Sequence, residues 1–215
     1  MLGLILAGGQ GTRYGEGEKP LALCGGRPMI ERVADALDGA GLEVVVVASP
    51  CTPFTQNWCR AHDLLCVCTE GKGYVEDLVE AADLLGLDEP VLCVSADLPC
   101  LTAELVGEVV AAYEAQALPA LSVWVPVEDE NNVNAPCIEE VDGRRAVPAG
   151  INVLDGGRMN GAQEETRLLL DDPRLRHNVN TPDALKAAEA FLASAESPQA
   201  SDCNHRKKDI DRSTR

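Results

Sequence analysis

Four short apolar runs constrain this chain more than any other feature: "LGLILA" (2–7), "EVVVVAS" (43–49), "LLCVC" (64–68) and "PVLCVSAD" (90–97). Each is continuous rather than alternating, the mark of a strand covered on both faces, as parallel strands are. Helical segments separate them. "PMIERVADALDGAG" (28–41) has a proline suited to a first turn and glycines to end on. "PFTQNWCRAHD" (53–63), "YVEDLVEAADLLG" (74–86) and "TAELVGEVVAAYEAQ" (102–116) follow, the last capped by Thr102. This alternation predicts an α/β fold: a three-layer, Rossmann-like arrangement of a mostly parallel mixed sheet with helices on both faces.

The second half is less regular. "PALSVWVPV" (119–127) and "VPAGINVL" (147–154) read as strands, and the polar, turn-rich stretch between them as a hairpin or flap. A short helix is expected over 161–170 and a strand over "RLRHNVN" (174–180). "TPDALKAAEAFLAS" is then a helix capped by Thr181, with Pro182 in its first turn. Residues 195–215 have little to bury and read as a disordered polar tail on a domain of residues 1–194.

Charge and composition exclude several classes of function. Asp and Glu number 35 against 18 Lys and Arg, a formal net charge of −17. Such a surface repels nucleic acid and anionic lipid, so neither is expected as a partner. No apolar run reaches the ~18 residues of a membrane span, so no membrane insertion is expected. The start "MLGLILAGG" lacks the basic region of a signal peptide, and the protein reads as cytoplasmic. Nine cysteines without a CxxC pair sit mostly in apolar runs, as small buried hydrophobes. A metal site built from Cys59, Cys66 and Cys68 is the alternative reading. His62, His177 and His205 match no triad spacing and read as structural.

In sheets of this kind ligands bind beyond the carboxyl ends of the strands. Three loops gather there: the glycine loop after the first strand, "TEGKGY" after the third and "SAD" after the fourth. Gly8, Gly9 and Gly11 let the backbone turn tightly and offer bare N–H groups to an anion. Thr12 adds a hydroxyl, and Arg13 and Lys19 add charge. A charge pair at 4 Å is worth about 4 kcal/mol at an effective dielectric of about 20. Screening confines the global negative charge to about 8 Å, so local cations prevail beside a triphosphate. Asp97, at a strand end, either holds Mg²⁺ between phosphate oxygens or caps the segment that follows. Lys72, Gly73 and Tyr74 stand at the amino end of the 74–86 helix, which can hold an anion or a base edge. The glycine loop lacks the third glycine and distal acid of a dinucleotide fingerprint. It also lacks the Lys-Ser/Thr pair of a P-loop.

"LAGGQGTR" followed by "EKPL" resembles the signature of MobA-like nucleotidyltransferases, which join a nucleoside triphosphate to a phosphorylated acceptor and release pyrophosphate. "EGKGYVEDL" (70–78), "VPAGINVL" (147–154) and "NVNTPDALKAAE" (178–189) are similar to motifs of the archaeal adenosylcobinamide-phosphate guanylyltransferases of cobalamin biosynthesis. The resemblance runs from residue 1 to about 193. It implies catalytic roles for Arg13, Lys19 and Asp97, with Mg²⁺ on Asp97. It implies substrate-binding roles for Leu6, Ala7, Gly8, Gly9, Gly11, Thr12, Lys72, Gly73, Tyr74, Gly150, Asn152 and Asn180; Asn180 also stands beside the start of the last helix, where local capping is the alternative reading. The substrates it implies are GTP and adenosylcobinamide phosphate, whose phosphate needs no base to become a nucleophile. It leaves room for a homodimer. Molybdenum-cofactor guanylyltransferases share similar "NVNTPDAL" endings, but their glycine loop is closer to GGxSxRMG. A catalytically inactive nucleotide-binding module of the same fold is the reading from another class. It predicts loss of Arg13, Lys19 or Asp97, and all three are present.

Overall fold

The computed structural model describes residues 1–9, 11, 17–127 and 137–196. In chain order, β1 (Leu2–Leu6) leads to a small hairpin of β2 (Leu23–Cys24) and β3 (Arg27–Pro28) and then α1 (Met29–Gly39). Next come β4 (Glu43–Ala48), α2 (Pro53–Ala61), β5 (Leu65–Cys68), α3 (Tyr74–Leu85), β6 (Pro90–Ser95) and α4 (Ala103–Glu114). The second half supplies β7 (Ala120–Pro126), β8 (Glu139–Val141), β9 (Arg144–Asp155), β10 (Glu165–Leu169) and α5 (Pro182–Glu196). The main sheet runs β10-β7-β9-β6-β1-β4-β5, with β8 beside β9.

The continuous apolar runs become its centre: β5, β4, β1 and β6 are mutually parallel. Alternate residues along them face opposite layers. Ile5, Val46, Leu92 and Val94 pack under α1, α2 and α4, whereas Leu4, Val45, Val47, Val91 and Cys93 pack under α3. Burying both faces is why these strands read as unbroken hydrophobic stretches. The expected mixed sheet with helices on both faces is therefore observed. A smaller cluster of Cys24, Met29, Cys100, Val179 and Ala188 seats α5 against the β2–β3 hairpin.

Three backbone bonds carry the parallel ladder past the strand ends. Ala7 N–H donates to Val47 O (2.8 Å), Ala96 N–H to Leu6 O (3.1 Å) and Thr69 N–H to Ala48 O (2.9 Å). The loops after β1, β5 and β6 therefore leave from one edge. On the other side of β6, β9 runs antiparallel to both β6 and β7. Asn152 faces Ser122 while Pro148 faces Trp124, so β9 bulges, and Gly150 carries the bulge at φ +79°. An Asp142–Gly143 turn with both φ positive closes the β8–β9 hairpin, part of the region expected to be a hairpin or flap.

Two expected elements are different. The segment read as a helix over 161–170 is instead β10, parallel to β7 and paired from Glu165↔Ala120 to Leu169↔Trp124. Its residues are good helix formers, but a free sheet edge overrides that weak preference. The strand expected over 174–180 is a 3₁₀ turn, Pro173–Arg176, whose Asp172 carboxylate accepts from Arg174 N–H (2.8 Å). Its two buried apolar residues, Leu175 and Val179, are spaced by four, not by the two that a strand requires.

The last helix continues to Glu196, beyond the expected domain end at residue 194. Most of the expected polar tail, residues 197–215, lies outside the described residues, as do Thr12 and Arg13. Among the described residues, no helix is long and apolar enough to cross a membrane.

Candidate active site

A cleft of about 360 Å³ opens at the carboxyl edge of the parallel strands. Ala7, Gly8 and Gly9 form one lip, Gly71 to Tyr74 the facing one, and Lys19 with Ser95 to Asp97 the end wall; Leu6 and Val47 also line it. The three loops expected to share an edge do share it. Four other expected residues do not line the cleft, but each lies beside one that does. A Cβ on Gly11 would lie 3.4 Å from Lys19 Cβ, and one on Gly150 would lie 3.3 Å from Ser95 Cβ. Asn152 bonds Tyr74, and Asn180 bonds Lys19.

Lys19 opens a single 3₁₀ turn, Lys19–Leu21, anchored by buried Pro20. Its ammonium donates to Asp97 Oδ2 (2.5 Å) and to Asn180 Oδ1 (3.0 Å). Asn180 arrives there because Val179 N–H donates to the Asp97 carbonyl (2.9 Å). Asn180 Nδ2 in turn donates to Asn178 Oδ1 (2.6 Å). Neither Asp97 nor Asn180 caps the helix that follows it. Thr102 caps α4, accepting from Leu105 N–H (3.4 Å), and Thr181 accepts from Ala184 N–H in the first turn of α5 (3.2 Å).

Asp97 Oδ1 is buried and has no hydrogen-bond partner. An unsatisfied buried acceptor costs about 1–3 kcal/mol, more when charged, so a fold does not keep one without reason. Mg²⁺ takes oxygen donors, and this oxygen fits it. Among the described residues no group of three His, Cys, Asp or Glu is placed to hold a metal. Further donors would therefore come from phosphates and water. The same observation disposes of a metal site at Cys59, Cys66 and Cys68. The Cys59 thiol is instead buried in the core, and its bond to Cys66 and its burial push it well above the usual thiol range.

The two glycine lips are held by residues that sequence reading missed. Ser49, fully buried at the end of β4, donates its hydroxyl to Gly8 O (2.6 Å) and accepts from Cys51 N–H (3.1 Å). A Cβ on either Gly8 or Gly71 would lie only 3.1 Å from Ser49 Cβ, so this side chain is packed between both loops. Asp77, in the first turns of α3, accepts from Gly71 N–H (2.9 Å) and Lys72 N–H (3.1 Å). Gly71 adopts φ +72°. Gly71→Ala adds both backbone strain and the Ser49 contact. It should destabilise the fold by about 1–3 kcal/mol and raise KM for the nucleotide several-fold. Denaturant melts and a nucleotide titration of activity measure the two effects.

Lys72 is exposed and pairs with Glu70, which raises its pKa. Tyr74 stands half exposed, and its hydroxyl accepts from Asn152 Nδ2 (2.9 Å), joining the α3 lip to β9. Burial around the hydroxyl, and then the neighbouring Cys93 thiol, push the phenol well above its usual range. Burial alone pushes Cys93 up to about 12. Neither group is ionised near neutral pH, so neither serves there as a general base.

Residues 3–169 match the MobA-like NTP transferase domain. The chain is 35% identical over 200 residues to an adenosylcobinamide-phosphate guanylyltransferase of Methanocaldococcus jannaschii, covering 88% of this chain and 96% of that one. It is 29% identical over 205 residues to a molybdenum cofactor guanylyltransferase of Desulfosudis oleivorans, covering 88% and 95%. Its fold is similar to that of a CMP:2-keto-3-deoxy-manno-octonic acid synthetase complexed with CTP, at TM-score 0.66 and 18% identity over 90% of this chain and 98% of that one.

Proposed function

This chain belongs to the MobA-like NTP transferase family, and we propose that it transfers GMP from GTP to adenosylcobinamide phosphate, releasing pyrophosphate. One observation carries the chemistry: a lysine held on a buried carboxylate whose second oxygen is partnerless, in a cleft between two glycine loops. The choice of acceptor is supported by the 35% identity to a guanylyltransferase named for it, over nearly the full length of both chains.

An oxygen of the acceptor's phosphate attacks the α-phosphorus of GTP. The new P–O bond forms as the bond from that phosphorus to the β-phosphate bridging oxygen breaks, and pyrophosphate leaves with the electron pair. The attacking oxygen is already ionised near neutral pH, so the site needs no base. Positioning and charge neutralisation then supply the rate. Lys19 has three N–H donors, and Asp97 and Asn180 take two. The third, and the positive charge, would serve the phosphates. The backbone of Gly8 and Gly9 would approach them without a Cβ in the way. Asp97 would hold Mg²⁺, which when bound neutralises phosphate oxygens. Arg13 would add charge from the same glycine loop.

Base and acceptor choice can be tested together. The purified protein is given each of the four nucleoside triphosphates with either adenosylcobinamide phosphate or molybdopterin, and pyrophosphate is followed. Turnover is expected only with GTP and adenosylcobinamide phosphate. Transfer to molybdopterin instead would move the protein to the molybdenum-cofactor reaction. Preference for another base would overturn the guanylyl assignment.

A further inference from the structure

We infer that Glu18 is a positioning residue for the reaction, holding Lys19 against Asp97 by clamping the chain to the start of α2; this rests on the transfer reaction proposed above. The first turn of a helix has N–H groups with no partner inside the helix, and a local Ser, Thr or Asp ordinarily takes them. Thr52 stands at that position before α2 but turns away. Its hydroxyl oxygen accepts from Ser49 N–H (3.1 Å) and donates to Ser49 O (3.2 Å). The free groups go instead to a carboxylate 36 residues earlier in the chain. Glu18 Oε1 accepts from Phe54 N–H (2.7 Å), and Oε2 accepts from Thr55 N–H (2.6 Å) and from the Thr55 hydroxyl (2.6 Å). A negative charge at a helix amino end is also favoured by the helix dipole.

The consequence falls on the next residue. The Glu18 carbonyl accepts from Leu21 N–H (3.0 Å), which starts the turn containing Lys19. Residue 18 is thus fixed twice, by its side chain to α2 and by its carbonyl to the turn. Gly17, immediately before it, adopts φ +87° and has no side chain with which to anchor the turn. Without the clamp, the Lys19 backbone would depend on Pro20, on the bond its carbonyl accepts from Ala22 N–H (3.1 Å) and on the ammonium contacts it is meant to support. Misplacing a charged group by about 1 Å can cost about 10²-fold in rate while binding is little changed.

The test is a double-mutant cycle on GMP transfer, with kcat and KM for GTP measured separately. Glu18→Gln should lower kcat by about tenfold or more and leave KM within about twofold. In a Lys19→Ala background the same substitution should slow the residual rate no further, because its effect runs through Lys19. A purely structural cap would lower both backgrounds by the same factor, and that result overturns the inference. So does a Glu18→Gln enzyme as fast as wild type; in either case wild-type transfer from GTP leaves the proposed reaction standing. A wild-type protein that transfers no nucleotide overturns both. If Glu18→Gln melts below the assay temperature, Thr55→Val removes only the hydroxyl donor and is read in the same cycle.

Discussion

Lys19→Ala is expected to lower kcat for GMP transfer by about 10²–10³-fold, with KM for GTP changed far less. Charge on the phosphates shifts most as the α-phosphorus changes partners, and a cation fixed beforehand stabilises that state more than the ground state. The ammonium is fixed: the Lys19 side chain is only 19% exposed, and two oxygens from distant parts of the chain hold its end. Steady-state kinetics on the folded variant decide the matter. A near-normal kcat with a raised KM would make Lys19 a binding residue only.

Asp97→Asn should remove Mg²⁺-dependent turnover, by about 10³-fold or more, while leaving the fold in place. The amide has the same shape but no charge, and a neutral side chain is a poor ligand for a hard cation. Some stability should be lost, because the substitution leaves the Lys19 ammonium without its ion-pair partner. The relief of a carboxylate with one buried unpartnered oxygen offsets part of that loss. Melting curves and calorimetric titration with Mg²⁺ and GTP separate the two effects without relying on activity. A variant that turns over normally at ordinary magnesium concentrations would place the metal elsewhere.

The legible part of this protein was the part written in local pattern. Unbroken runs such as "EVVVVA" identify buried parallel strands because both faces must be apolar. Loops that follow such strands must then meet at one edge. The Ala7–Val47 and Ala96–Leu6 backbone bonds show them doing so. Residues 165–169 were misread because helix propensity is local, whereas the open edge of β7 that they join is not. Ser49 and Glu18 gave no local sign of these contacts, since the partners lie 41 and 37 residues away. Asn180 looked like a residue beside a helix start, yet its side chain meets Lys19 across 161 positions of sequence. Asp77 was the recoverable omission: an acid soon after a glycine loop, at a helix start, has backbone N–H groups within reach.

Isotope transfer from GTP shows which phosphorus the acceptor attacks. Wild-type protein is incubated with Mg²⁺, adenosylcobinamide phosphate and GTP labelled on either the α- or the γ-phosphorus. The α-label is expected to move to the acceptor and the γ-label to leave as pyrophosphate, with both transfers suppressed in Lys19→Ala and Asp97→Asn. Movement of the γ-label to the acceptor, or tight GTP binding with no label transferred at all, would contradict the proposed transfer.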